Sequence, residues 1–270
     1  MKSFRILDPN FPDRGASSQC ALAVMTKAPQ AGRVKTRLVP LLTPEQAAEL
    51  NKCFLRDIAV AISNACSRRP VGDANKMPLE HASASHSEAA TAACGVAVYT
   101  PVGAESAYTD ILPPDFSLLP QRGDEFGERL YFAVKDLFKY GFEAVCLIDS
   151  DSPTVPAEDL AEAVELLSTH EDRIVLGPSD DGGYYLIGVN KPHRRLFEQI
   201  DWSTERVLNQ TIQRAMELEL EVKLLPSGYD VDDSASLRRL CNELLSVTTS
   251  VDIAPYTREL LAKLTAQKEL

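Results

Sequence analysis

Short, wholly apolar runs alternate along the chain with longer amphipathic stretches. Cys20–Met25 (CALAVM), Cys94–Tyr99 (CGVAVY) and Ala144–Ile148 (AVCLI) lack the alternation of half-exposed strands, so they predict strands buried on both faces. Phe116–Leu119, Arg173–Gly177, Tyr184–Val189 and Val222–Leu225 add shorter strands, the middle two flanking a glycine turn. A helix is predicted from Thr43 to about Cys66. Thr43 is its cap, Pro44 its first residue, and Gln46 stands three residues after the cap. Phe126, Leu130, Ala133, Val134, Leu137 and Phe138 recur at helical spacing before Gly141, a stop residue. Leu160, Ala163, Val164 and Leu167 mark a further helix. Arg194–Glu219 reads as largely helical with a break near Trp202, where Ser203 is the expected cap of the second part. Ser234–Leu245 and Pro255–Leu270 close the series. Strands alternating with helices predict an α/β protein with a mostly parallel sheet covered on both faces.

The domain plan follows. Residues 1–19 read as an irregular arm, 20–250 as one domain, and 251–270 as a C-terminal helix. The Ala-, Ser-, His- and Asn-rich stretch 68–93 reads as a flexible insertion.

Composition narrows the partners. Of 270 residues 44% are hydrophobic and 25% charged, and 28 Lys and Arg against 39 Asp and Glu leave a formal charge of −11. That excess speaks against nucleic acid or an anionic membrane as the main partner, since both need a basic face. The sequence shows no apolar leader and no apolar run of spanning length, so the expectation is a cytoplasmic protein without a membrane span. The six cysteines form no CxxC pair and read as small buried hydrophobes. The histidines His81, His86, His170 and His193 show no metal-ligand spacing. A homo-oligomer is compatible with all of this.

In sheets of this kind ligands bind at the carboxyl ends of the strands, and polar segments stand at or near four strand ends. The first is Lys27-Ala-Pro-Gln-Ala-Gly-Arg-Val-Lys-Thr-Arg37. Lys27, Arg33, Lys35 and Arg37 are its cations, it holds no acid, and Gly32 permits close backbone approach. Such a loop fits a polyphosphate, with Arg gripping bidentately and Lys acting as a point charge. A solvated basic loop has the same composition. The spacing is neither a Walker A loop nor a dinucleotide turn. The second is Asp149-Ser-Asp-Ser-Pro153. Two carboxylates about 4 Å apart repel by roughly 4 kcal/mol at an effective dielectric of about 20. A divalent cation relieves that repulsion, and oxygen ligands select Mg²⁺ or Mn²⁺. The third, Gly177–Tyr185, offers Asp180, Asp181, Gly182, Gly183 and Tyr184 to an acceptor, or simply makes a tight hairpin. The fourth is Tyr229-Asp-Val-Asp-Asp233. Here Asp232 could complete a cation site with Asp149 and Asp151, while Asp233 caps the next helix. A phosphatase of the haloacid-dehalogenase type is disfavoured, because Pro153 stands where that motif carries Thr or Val.

Lys27–Leu38 (KAPQAGRVKTRL), Asp149–Pro153 (DSDSP), Gly177–Gly188 (GPSDDGGYYLIG), Trp202–Thr204 (WST) and Asp230–Leu237 (DVDDSASL) together resemble a bacterial family of glycosyltransferase-A-like proteins. Its members are described as nucleotide-diphospho-sugar transferases of unknown acceptor. The first, second and last segments are also similar to phospholactate guanylyltransferases and molybdenum-cofactor nucleotidyltransferases. The resemblance implies a Rossmann-like three-layer α/β/α sandwich with a mixed, mostly parallel sheet. It implies that Lys27, Lys35 and Arg37, within a phosphate loop including Gly32, Arg33 and Thr36, hold nucleotide phosphates. It implies that Asp149 or Asp151, with Asp232, bind Mg²⁺ or Mn²⁺. One departure is that sugar nucleotidyltransferases open on a glycine-rich loop, whereas this loop has one glycine and Pro29. The expected activity is nucleotidyl transfer from an NTP to a small phosphorylated acceptor, with Lys27, Lys35, Arg37, Asp149 and Asp151 as the catalytic set. The alternative is glycosyl transfer from a nucleotide-diphospho-sugar.

Overall fold

The computed structural model describes residues 4–11, 20–39, 41–68, 93–169 and 171–266. Most of the expected arm and insertion, His81, His86, His170 and the last four residues lie outside that set.

The described strands form one eight-stranded sheet in the order β1-β4-β3-β2-β5-β7-β6-β8. They are β1 (Arg5–Ile6), β2 (Cys20–Lys27), β3 (Ala93–Thr100), β4 (Ser117–Pro120), β5 (Ala144–Ile148), β6 (Arg173–Pro178), β7 (Tyr184–Val189) and β8 (Glu221–Leu224). Only β7 runs against its neighbours, pairing antiparallel with β5 and β6. The tight turn from β6 dictates this, since a few residues can join only antiparallel strands.

Two layers of helix cover the sheet. Alternate residues of β2 enter opposite clusters, as strand geometry requires. Cys20, Leu22 and Val24 pack with α1 (Pro44–Cys66) and α3 (Ala157–Leu167). Ala21 and Ala23 pack with α2 (Phe126–Tyr140) and, across that face, α4 (Val207–Glu217). A third cluster joins the first half of α1, including Leu50 and Phe54, to α5 (Ser234–Leu244) and α6 (Pro255–Ala266). The C-terminal helix is thus part of the packed body. Asp57 in α1 accepts the backbone N–H groups of Tyr256 and Thr257 and the Thr257 hydroxyl at 3.0, 2.9 and 2.6 Å, fixing the start of α6.

The predicted signals at the start of α1 operate. The Thr43 side chain accepts the Gln46 N–H and the Gln46 side chain accepts the Thr43 N–H, a complete capping box. Gly141 ends α2 at φ 130. Two expectations are corrected. The arm is not wholly irregular, because Arg5–Ile6 adds a parallel edge strand to β4 and Leu7 is buried behind it. Arg194–Glu219 is less helical than its pattern, with one turn at Arg194–Phe197 and then α4. Gln199 and Ser203 lie at φ 56 and 63, which breaks helical propagation, so Ser203 is not the cap and α4 starts only at Val207.

Candidate functional site

The carboxyl ends of β2 and β5 are neighbours in the sheet, so the segments that follow them meet at one edge. β7 begins at the same edge, and the Asp149 N–H donates to the Tyr185 carbonyl at 2.9 Å. The 229–233 segment is drawn in by its backbone, with Val231 N–H donating to the Asp151 carbonyl at 2.9 Å.

The 27–37 loop folds back over this edge. Arg33 N–H closes a turn on the Gln30 carbonyl, and Gly32 takes φ 72. Leu38, fully buried in the third cluster, pins the far end. Between these anchors Lys35 adopts φ 48, ψ 37, a left-handed conformation uncommon for a residue with a Cβ. Its side chain is only 4% exposed. The ammonium lies 2.8 Å from Asp151 Oδ1 and 3.0 Å from Asp232 Oδ1, donates to the Val231 carbonyl at 2.7 Å, and stands 5.4 Å above the Phe54 ring. Burial alone would depress the ammonium's pKa, but the Asp151 and Asp232 carboxylates outweigh it and hold it above its ordinary value. Arg37 is 73% exposed, 3.7 Å from Asp232 Oδ2. Lys27, Arg33 and Thr36 are exposed, and neither Lys27 nor Arg33 makes an ion pair among the described residues.

Asp149 plays a different part from Asp151. Its Oδ1 accepts the N–H groups of Asp151 and Ser152 at 3.2 and 3.1 Å, and its Oδ2 accepts the buried Ser152 hydroxyl at 2.8 Å. Burial, and next the Asp151 charge, push its carboxyl up to about 8 despite those bonds. Asp149 therefore braces the turn while Asp151 faces Lys35. Among the described residues no three carboxylate, His or Cys side chains group so as to chelate a metal ion. The donor chemistry nevertheless fits a hard dication held in part by substrate. Asp151 and Asp232 are partly exposed oxygen donors on facing segments, and Mg²⁺ commonly takes one or two carboxylates and completes its shell with phosphates and water.

The 179–183 turn is tightly bound to the protein. Asp180 pairs with Arg239 at 2.7 Å and accepts the Ser227 hydroxyl at 3.2 Å, and Arg239 holds its carboxyl below the usual range. Asp181 accepts the Gly183 N–H at 2.8 Å. The Tyr184 hydroxyl is buried and not turned to solvent. Gly182, at φ 88, lies against the backbone of Glu205, and its carbonyl accepts the Leu208 N–H at 2.9 Å, which docks the turn on the segment after Trp202. Asp233 is the cap of α5, as its spacing predicts, accepting the N–H groups of Ala235 and Ser236.

The polar-segment reading leaves out Gln121, although the strand-end rule covers it. Just past β4, its amide donates to the Thr26 and Val98 carbonyls at 3.1 and 2.8 Å and ties three strand ends together. Arg239 gives no comparable signal, because it lies mid-helix and 59 residues from Asp180.

The comparisons with known proteins agree with this architecture. Residues 85–204 match a family model described as "Uncharacterized protein conserved in bacteria (DUF2064)", a span that holds the DSDSP turn, the 179–183 turn and the WST segment. No curated protein matches the chain significantly. A crystal structure of a candidate nucleotide-diphospho-sugar transferase from Desulfovibrio desulfuricans G20 matches with a TM-score of 0.72 at 28% identity, over 92% of this chain and 96% of that one. CMP:2-keto-3-deoxy-manno-octonic acid synthetase complexed with CTP matches at 11% identity and TM-score 0.47, over 83% of this chain and 97% of that one. Glucosyl-3-phosphoglycerate synthase from Mycobacterium tuberculosis, complexed with Mn²⁺, UDP and glucosyl-3-phosphoglycerate, matches at 10% and 0.45, over 93% and 80%. The likeness to the Desulfovibrio protein and the sheet order define a class, that of transferases built on the nucleotide-diphospho-sugar transferase fold. Within it, the chain resembles the Desulfovibrio protein over nearly its whole length. No described helix is long and apolar enough to cross a membrane.

Proposed function

We propose that the protein is a metal-dependent nucleotidyltransferase that moves NMP from an NTP to a small phosphorylated acceptor in the cytoplasm. The observation that carries this reading is the meeting of Lys35, Asp151 and Asp232 at the shared carboxyl edge of β2 and β5. Carboxylates and cations from three distant segments converge there, as a polyphosphate with its counter-ion needs.

Asp151 and Asp232 are the residues that would hold Mg²⁺ or Mn²⁺. When bound, the ion supplies charge neutralisation to the phosphates and to the departing pyrophosphate. The chain's own residues do the rest by placement and charge, which in-line phosphoryl chemistry chiefly demands. Lys27 and Arg33, exposed and without ion-pair partners among the described residues, can take phosphate oxygens, and Arg37 reaches the same side beside Asp232. Asp149 holds the turn that presents Asp151. The 179–183 turn, locked by Arg239 and by the segment after Trp202, forms a rigid flank for the acceptor.

The likeness to the Desulfovibrio protein favours a second reading, glycosyl transfer from a nucleotide-diphospho-sugar. A loop with several free cations favours the triphosphate. Thermal unfolding with a panel of NTPs and nucleotide-sugars plus Mn²⁺ tests the proposal. A specific NTP should raise the midpoint in a concentration-dependent way. Asp151→Asn and Asp232→Asn should abolish the Mn²⁺-dependent part. Absence of any nucleotide response, or an unchanged response in both variants, sinks it. Pyrophosphate release with an acceptor supports nucleotidyl transfer, and free NDP supports the glycosyl alternative.

A further inference from the structure

Lys35 spends all its hydrogen-bonding capacity inside the protein. An ammonium has three protons, and Asp151, Asp232 and the Val231 carbonyl take one each at 2.8, 3.0 and 2.7 Å. With the side chain 4% exposed, a phosphate oxygen can reach Nζ only if one of those partners is given up. The two carboxylates come from different segments, Asp151 from the turn after β5 and Asp232 from the segment before α5. The ammonium thus holds the two carboxylates that would also hold a hard dication. Two cations cannot share those oxygens, because at such separations their repulsion is screened by no intervening water.

The backbone adds a second sign. Lys35 holds a left-handed conformation at φ 48. A residue with a Cβ stays there only where its surroundings hold it, and here the Leu38 N–H bond to the Lys35 carbonyl at 3.0 Å acts beside the side-chain bonds just named. The loop on either side carries exposed cations, so a polyphosphate arriving there offers the ammonium an alternative anion.

We infer that Lys35 is a tethered competitor of the dication. Its ammonium occupies the Asp151–Asp232 pair in the nucleotide-free protein and leaves it for the polyphosphate as the dication enters. This rests on the metal-dependent reading above. It makes dication and polyphosphate binding mutually reinforcing, since each favours the arrangement in which Lys35 has left the carboxylates. The nucleotide-free protein accordingly takes up a dication weakly.

The test is titration of the full chain with Mn²⁺ alone, free Mn²⁺ being followed by electron paramagnetic resonance. Lys35→Met keeps an unbranched apolar side chain and removes the charge together with its three donors. It should bind Mn²⁺ at least tenfold more tightly than the wild type, and adding Asp232→Asn should erase the gain. Lys35→Gln, which keeps a donor for the Val231 carbonyl, should show the same gain and guards against a folding defect in the Met variant. Equal or weaker Mn²⁺ binding by both variants, with the wild type binding, overturns the competition and leaves the metal reading standing. A gain that survives Asp232→Asn also overturns it, since the ion is then held elsewhere. No Mn²⁺ binding by any of the proteins overturns both the competition and the metal-dependent reading.

Discussion

Gly182 and Gly32 allow the packing at the candidate acceptor turn to be weighed against a control of the same backbone type. Both take positive φ, 88 and 72 respectively. Alanine at either position carries a left-handed cost of about 1–2 kcal/mol. The spaces around them differ. A Cβ on Gly32 meets nothing within 4 Å, whereas one on Gly182 would lie 2.3 Å from the Glu205 carbonyl oxygen and 2.6 Å from its Cα. Those neighbours are backbone atoms and cannot rotate away. Relief requires separating the 179–183 turn from the segment after Trp202. That sacrifices the 2.9 Å bond from Leu208 N–H to the Gly182 carbonyl, worth about 1 kcal/mol. Residual overpacking adds about 1–3 kcal/mol. Gly182→Ala should therefore lose about 3–6 kcal/mol in urea unfolding and Gly32→Ala about 1–2 kcal/mol. At about 2–4 °C per kcal/mol for a domain near this size, the two should also separate clearly in thermal midpoint. Equal losses, within about 0.5 kcal/mol, would refute the view that this turn is clamped rather than loosely apposed.

Asp57→Ala should lose about 2–4 kcal/mol, because it removes a buried carboxylate that caps α6 through charge-assisted bonds; an unchanged urea midpoint would deny that α6 is anchored there. Arg239→Ala should cost about 1–2 kcal/mol, since its ion pair with Asp180 is half exposed on both sides and its stacking 3.8 Å over Tyr229 adds modestly; a much larger loss in chemical unfolding would show that the turn's locking carries fold stability. Asp149→Asn should become more stable than the wild type as pH rises. The wild-type carboxyl, held near 8 when folded and at its ordinary low value when unfolded, binds its proton more tightly in the folded state, so stability falls between those values and levels off above about 8. The asparagine has no charge to bury, so the variant's advantage should grow from pH 6 to 8, and a difference flat with pH rules the mechanism out.

Much of the fold is legible in the chain because parallel strands buried on both faces leave unbroken apolar runs. Ala144–Ile148 is bounded in the structure as its letters predict, and Thr43, Pro44 and Gln46 declare the start of α1 through local bonds. The strand-end rule likewise brings the four polar segments to one edge. Local pattern fails where the deciding contact is remote. Arg5–Ile6 becomes a strand only because β4 offers an edge, and the break read near Trp202 extends from Glu198 to Arg206, set by backbone angles at Gln199 and Ser203 that the letters do not announce. Lys35 is the sharpest case. A lysine in a basic loop reads as a solvent-facing phosphate ligand, and nothing within several residues says otherwise. Its carboxylate partner Asp232 stands 197 residues away, next to Val231, whose N–H is bonded to the Asp151 carbonyl. The sum of charges in the loop and the position of any one charge are therefore separate questions. The first is composition, which identifies an anion-binding edge. The second is topology, which buries one of those cations on the carboxylates and leaves Lys27, Arg33 and Arg37 exposed, Arg37 beside Asp232, as the groups that meet a polyphosphate first.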